Sequence, residues 1–91
     1  MNVHFKYIND SGTSVLSKQP VRVLVFKTSL RYKKDVRQIE PLMNTQPGIL
    51  CWNVDREDTD HVLRIETMHL QPQDIIRLVH QAGHFCEELH D

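Results

Sequence analysis

Two amphipathic segments, each following an apolar β-branched run, with two strand-like runs between them and one after, constrain this chain more than any other feature. The run VRVLVFK, Val21 to Lys27, suits a central strand. After it, Leu30, Val36, Ile39 and Met43 mark one helical face, with Arg31, Lys33, Lys34 and Arg37 mostly on the other. Ser29 stands where a helix N-cap would, and Pro41 is expected to kink or end the helix. Gln46-Pro47-Gly48 reads as a turn, and ILCWNV, Ile49 to Val54, as the second strand. The acidic run Asp55 to Asp60 turns the chain, so that HVLRIE, His61 to Glu66, returns antiparallel as the third. Gln71 to Ala82 places Ile75, Ile76, Leu78, Val79 and Ala82 at helical spacing, with Pro72 in the first turn and Gly83 to close it. HFCEEL, His84 to Leu89, is a short last strand. The order βαββαβ predicts an α+β, ferredoxin-like two-layer sandwich, a four-stranded antiparallel sheet with two helices on one face.

A chain of 91 residues can bury one core of this size and not two. Residues 1–20 read as an extension, in which Val3, Phe5 and Tyr7 alternate with His4 and Lys6 as an extra strand, followed by the turn-rich NDSGTSVLSKQP. Residues 21–91 form the single domain. Eleven Lys and Arg against twelve Asp and Glu leave a formal charge of -1, no global field for drawing in nucleic acid or an anionic membrane. The start MNVHFKYIND lacks a signal-peptide pattern and no long apolar run follows, so the expected location is cytoplasmic.

Several pieces, in order, resemble the heavy-metal-associated domain family of copper chaperones and metal-pumping ATPase N-terminal modules, over about residues 21 to 89. They are the strand-to-loop junction at Leu24 to Ser29, Thr28 just before the first metal cysteine's position, and Val36 four residues past the second. Then come PGI leading into WNVD, and II followed by AGHF, similar to that family's Ala-Gly-aromatic turn. By this resemblance the two metal cysteines would fall at Ser29 and Tyr32, neither a soft ligand, so the Cys-x-x-Cys clamp is absent and no metal cofactor is expected at the loop. Lys27 replaces the methionine that usually packs beneath the loop, Phe26 replaces the glycine before it, and Glu40 to Gly48 is longer than usual.

In this topology the end of the first strand, the acidic hairpin and the end of the second helix share one pole. The candidate binding residues there are Lys27, Thr28, Ser29, Arg31, Tyr32, Lys33, Lys34 and Arg37, a basic cluster at a helix start that suits a phosphate or a partner's carboxylates. The alternative is a solvated basic face partly neutralised by Asp55, Glu57, Asp58 and Asp60. A second candidate set is His80, His84 and Cys86, since histidines four apart can share a metal. The plainer reading is structural or exposed histidines near a helix C-terminus.

Cys51 and Cys86 fall on strands two and four, opposite edges of such a sheet, ~14 Å apart at three strand spacings, so both thiols are expected free. Trp52, Val54, Leu63 and Ile65 should face the helices. Cys51, Asn53, Val62 and Arg64 then share the open face with either Val21, Val23 and Val25 or Leu24 and Phe26. That face needs a cover, which the Val3–Phe5–Tyr7 strand or a second copy of the domain would supply. With no nucleophile beside its base and no phosphate-cradling glycine loop legible, the expected function is a non-catalytic interaction or regulatory module. Its partner would be a protein or a second copy in a homodimer, and the alternative is a metal-binding protein using His80, His84 and Cys86.

Overall fold

Alternation along the first strand decides which way the sheet faces. In β1 (Arg22–Thr28) Leu24, Phe26 and Thr28 are buried, while Val23 and Lys27 are exposed. The computed structural model describes residues 20–90, so the expected Val3–Tyr7 strand lies outside the described residues. β1 leads to α1 (Lys33–Thr45), the hairpin β2 (Ile49–Asp55) and β3 (Val62–Thr67), then α2 (Pro72–Gln81) and β4 (Cys86–Glu88). The sheet is antiparallel throughout, in the order β2-β3-β1-β4. This is the ferredoxin-like sandwich.

Each helix buries the stripe that its apolar spacing dictates. Val36, Ile39 and Met43 of α1 and Ile75 and Val79 of α2 are fully enclosed against Leu24, Phe26, Trp52, Val54, Leu63 and Ile65 of the sheet. The Trp52 indole reaches the α1 end, where its Nε1 donates to Asn44 Oδ1 at 2.9 Å, so the largest core side chain keeps its polar atom satisfied. Gly48 turns the chain from α1 into β2 at φ 98°, and a Cβ there would meet Leu70 Cγ at 2.9 Å. Only glycine fits both the backbone and the space.

Three local expectations are corrected. The α1 N-cap is Tyr32, not Ser29, because Leu30 first enters the core and the chain must cross from sheet layer to helix layer before it can coil. Of the two outcomes expected at Pro41, ending the helix is the one overturned, since α1 continues to Thr45 with Pro41 inside it. Pro41 and Arg37 both lie on the exposed side, so the Arg37 carbonyl that proline cannot serve faces water. His61 is the last residue of the hairpin, with φ 46°, and β3 starts at Val62.

The facing of the sheet follows the first of the two alternatives. Leu24 and Phe26 point inward with Trp52, Val54, Leu63 and Ile65, leaving Val21, Val23 and Val25 beside Cys51, Asn53 and Arg64 on the open face. Val62, on that same face by alternation, is nonetheless buried at the hairpin end. Cys51 and Cys86 are free thiols on strands at opposite edges. Phe26 packs fully enclosed at the centre of the two layers. Phe26→Ala should destabilise the domain by about 3–5 kcal/mol, read as a lower midpoint in urea followed by Trp52 fluorescence.

Candidate functional site

The end of β1 is held from both sides. Thr28 N donates to Asp60 O at 3.0 Å, and Thr28 Oγ1 donates to His61 O at 2.6 Å, tying β1 to the β2–β3 hairpin. The same hydroxyl accepts Leu30 N at 3.1 Å. On the opposite side, Ser29 N donates to Phe85 O at 3.2 Å and Phe85 N donates to Ser29 Oγ at 3.0 Å. The expected pole is therefore assembled, with Lys27 Nζ 3.9 Å from Asp60 Oδ1.

His84 joins three elements at this pole. α2 ends in a Schellman arrangement: Gly83, at φ 87°, donates its N–H to His80 O at 2.9 Å, and His84 N donates to Val79 O at 3.2 Å. That turn projects His84 between β1 and α1. Its Nε2 lies 2.7 Å from Gln38 Oε1 and its Nδ1 3.1 Å from Ser29 Oγ. Because the Gln38 oxygen can only accept, Nε2 carries the proton in the neutral ring and Nδ1 takes the Ser29 hydroxyl proton. Asp35 Oδ1 stands 3.9 Å from Nε2, and both side chains are largely shielded, at 13% and 11% exposure. Spacing alone presented His84 as a partner for His80. Nothing along the chain marks Gln38 or Asp35 as its contacts, since 46 residues separate Gln38 from His84.

Asp35 also closes the start of α1. Its Oδ2 accepts Tyr32 N at 2.9 Å and Arg31 N at 3.1 Å. The carboxylate occupies the N–H groups at and just before the N-cap, and the Thr28 and Ser29 hydroxyls are engaged within the protein. Asp74 does the same at α2, accepting Gln71 N at 2.8 Å. What the pole presents to solvent is the remainder of the basic cluster. Arg31, Lys33, Lys34 and Arg37 are exposed, as is Lys27 beside the hairpin, and Tyr32 is itself 55% exposed. The Arg31 guanidinium carbon and Lys34 Nζ each lie 5.9 Å from the Tyr32 ring centre, within reach of cation–π attraction.

The second candidate set does not converge. His80 is exposed on α2, His84 is engaged with Ser29 and Gln38, and Cys86 is buried. Among the described residues no three His, Cys, Asp or Glu side chains gather so as to hold a metal ion. Burial pushes the Cys86 thiol up to about 12. Cys51 is raised as well, first by burial and then by the Glu66 charge, against a backbone hydrogen bond from Trp52. Among the described residues no helix is long and apolar enough to cross a membrane. An open groove of about 320 Å³ beside α2, lined by Gln46, Leu70, Asp74, Arg77, Leu78 and Gln81, includes none of the candidate residues.

No protein-family model and no curated protein sequence matches the chain. Among solved structures it is similar to the apo form of the HMA domain of a copper chaperone for superoxide dismutase, at a TM-score of 0.66 and 17% identity, over 89% of this chain and 76% of that one. The likeness establishes an HMA-like fold.

Two measurements check this geometry. Ser29→Ala and His84→Ala should each destabilise by about 1–2 kcal/mol, and the double variant should fall short of their sum by about 0.5–1 kcal/mol, because they share one contact. Only the thiolate is alkylated, so at neutral pH Cys51, partly exposed, should react with iodoacetamide before Cys86, which should be modified only on unfolding, as read by intact mass.

Proposed function

We propose that this chain is a non-catalytic interaction or regulatory module built on the frame of a heavy-metal-associated domain, with the former metal loop serving as a protein-recognition surface. The observation that carries the reading is the state of Ser29 and Tyr32, the two positions that match the family's metal cysteines. Ser29 is consumed in the bonds to Phe85 and His84, while Tyr32 turns outward as the N-cap of α1 with Arg31 and Lys34 against its ring. The two side chains serve different structural ends, which supports the reading that the loop has changed its task. An exposed tyrosine among cations is the composition of an interface anchor, suited to a partner protein presenting carboxylates. Neighbouring acidic Asp55, Glu57, Asp58 and Asp60 would fix the partner's orientation by repelling its acidic groups on one side.

Ser29 beside His84 places a hydroxyl on an imidazole, and the surroundings favour a structural role for the pair. The N–H groups of Leu30, Arg31 and Tyr32 are all taken, by Thr28 Oγ1 and by the Asp35 carboxylate. None points free toward a site where an oxyanion would develop. Two free thiols fit a cytoplasmic setting, and the formal charge of -1 fits a protein partner better than nucleic acid or a membrane.

Native mass spectrometry of untagged protein, before and after Zn(II) and, under reducing conditions, Cu(I), tests the loss of the metal role. The mass should stay that of the bare chain or its dimer. One tightly held ion per chain, lost in the His80→Ala, His84→Ala variant, would replace this reading with metal binding through other ligands. Affinity capture then tests the surface: proteins retained by the native chain should be lost with an Arg31→Glu, Tyr32→Ala, Lys34→Glu variant.

A further inference from the structure

The open face of the sheet is a feature that the pole leaves unused. Val21 and Val23 on it are 47% and 54% exposed, with Val25 and Cys51 partly so. Arg64 and Glu66 project from β3 at its centre, both exposed, and among the described residues neither belongs to an ion pair. Strand register arranges these side chains in two rows. Val23, Glu66 and Cys51 lie side by side in one, and Val25, Arg64 and Asn53 in the next.

This pattern is complementary to itself under one rotation. Consider two such faces in contact, related by a two-fold axis that lies between them, crosses the strands at right angles and passes over Ile65. The axis exchanges the rows. Arg64 then meets the partner's Glu66, Glu66 meets the partner's Arg64, Val23 meets the partner's Val25, and Cys51 meets the partner's Asn53. An axis running along β3 would instead set Glu66 against the partner's Glu66 and Arg64 against the partner's Arg64. Like charges in that arrangement repel, so charge selects the first axis. It also brings the two sheets into aligned face-to-face packing, the sandwich geometry in which twisted sheets bury their apolar residues.

We propose that this face joins two copies of the chain in a two-fold dimer through Arg64 and Glu66, with Val23 and Val25 packed beside them. Three strands give a patch about 14 Å across and, at ~3.3 Å per residue, about 20 Å long, roughly 300 Å² in plan, which falls below the ~800 Å² per partner of a standard stable interface. The dimer is therefore weak and concentration-dependent. It is independent of the Tyr32 surface, which lies at the pole and stays open in both copies.

Sedimentation velocity of the full chain from about 10 μM to about 1 mM tests the proposal. The sedimentation coefficient should rise with concentration. Glu66→Arg and Arg64→Glu should each weaken association by about tenfold or more, because each sets like charges together. The double exchange Arg64→Glu, Glu66→Arg should restore it, which a nonspecific apolar contact would not do. Both positions are solvent-exposed, and circular dichroism of each variant would verify the fold. A monomer across the whole range overturns the dimer. So does a double exchange that fails to recover, or a monomer in which nuclear Overhauser contacts run from residues 1–19 to Val23, which would assign the face to the chain's own N-terminal segment.

Discussion

The reciprocal bonds between Ser29 and Phe85, backbone to backbone in one direction and backbone to hydroxyl in the other, anchor the loop after β1 to the entry of β4. Thr28 fastens the same loop to the hairpin through Asp60 and His61. Between these anchors the chain has few residues in which to rise from the sheet to the helix layer. Leu30 fills the core on the way, and α1 can begin only at Tyr32. The outward placement of Tyr32 is thus a consequence of how β1 is held. His84 reads the same geometry from the other side, since the end of α2 delivers it to Ser29 and Gln38 together.

Electrostatics at this pole run against the simple helix rule. Cations crowd a helix start, where the macrodipole favours anions. Asp35 offsets this by placing a largely shielded carboxylate on the Arg31 and Tyr32 N–H groups. The cationic side chains are then free to extend into solvent around Tyr32. Across the gap, Lys27 meets Asp60 at the edge of the acidic hairpin, so the pole carries both signs in adjacent patches. Such a surface favours orientation of a partner over indiscriminate attraction.

Much of the fold was legible because it rests on periodicity. Leu24 and Phe26 against Val23 and Val25, Trp52 and Val54 against Cys51 and Asn53, and Ile75 and Val79 on α2 all follow from the two repeat lengths of strands and helices. Gly83 as the helix stop and Gly48 in the turn follow from backbone freedom. The errors fall where a local rule met a longer-range demand. Ser29 has the chemistry of an N-cap, but Phe85 and His84 claim its hydroxyl. Pro41 has the chemistry of a helix stop, but the apolar stripe from Val36 to Met43 continues past it and outweighs one missing hydrogen bond. At the site, the basic cluster could be read from the sequence. Its division into engaged Thr28 and Ser29 and displayed Tyr32 could not, because hydroxyls look alike until their partners are known.

By itself, then, the sequence determined the element order, the buried stripe of each helix, the separation of the two cysteines and the absence of a Cys-x-x-Cys pair. Each of these depends on residue type and local spacing, which the chain carries along its length. Only the tertiary structure decided the facing of β1, the role of Ser29 and the union of His84 with Gln38 and Asp35. It also decided the register that sets Arg64 and Glu66 in adjacent rows of the open face. Those outcomes depend on contacts between segments far apart in the chain, where hydrogen-bond partners are chosen by which strand and helix ends the packed core brings within about 3 Å of one another.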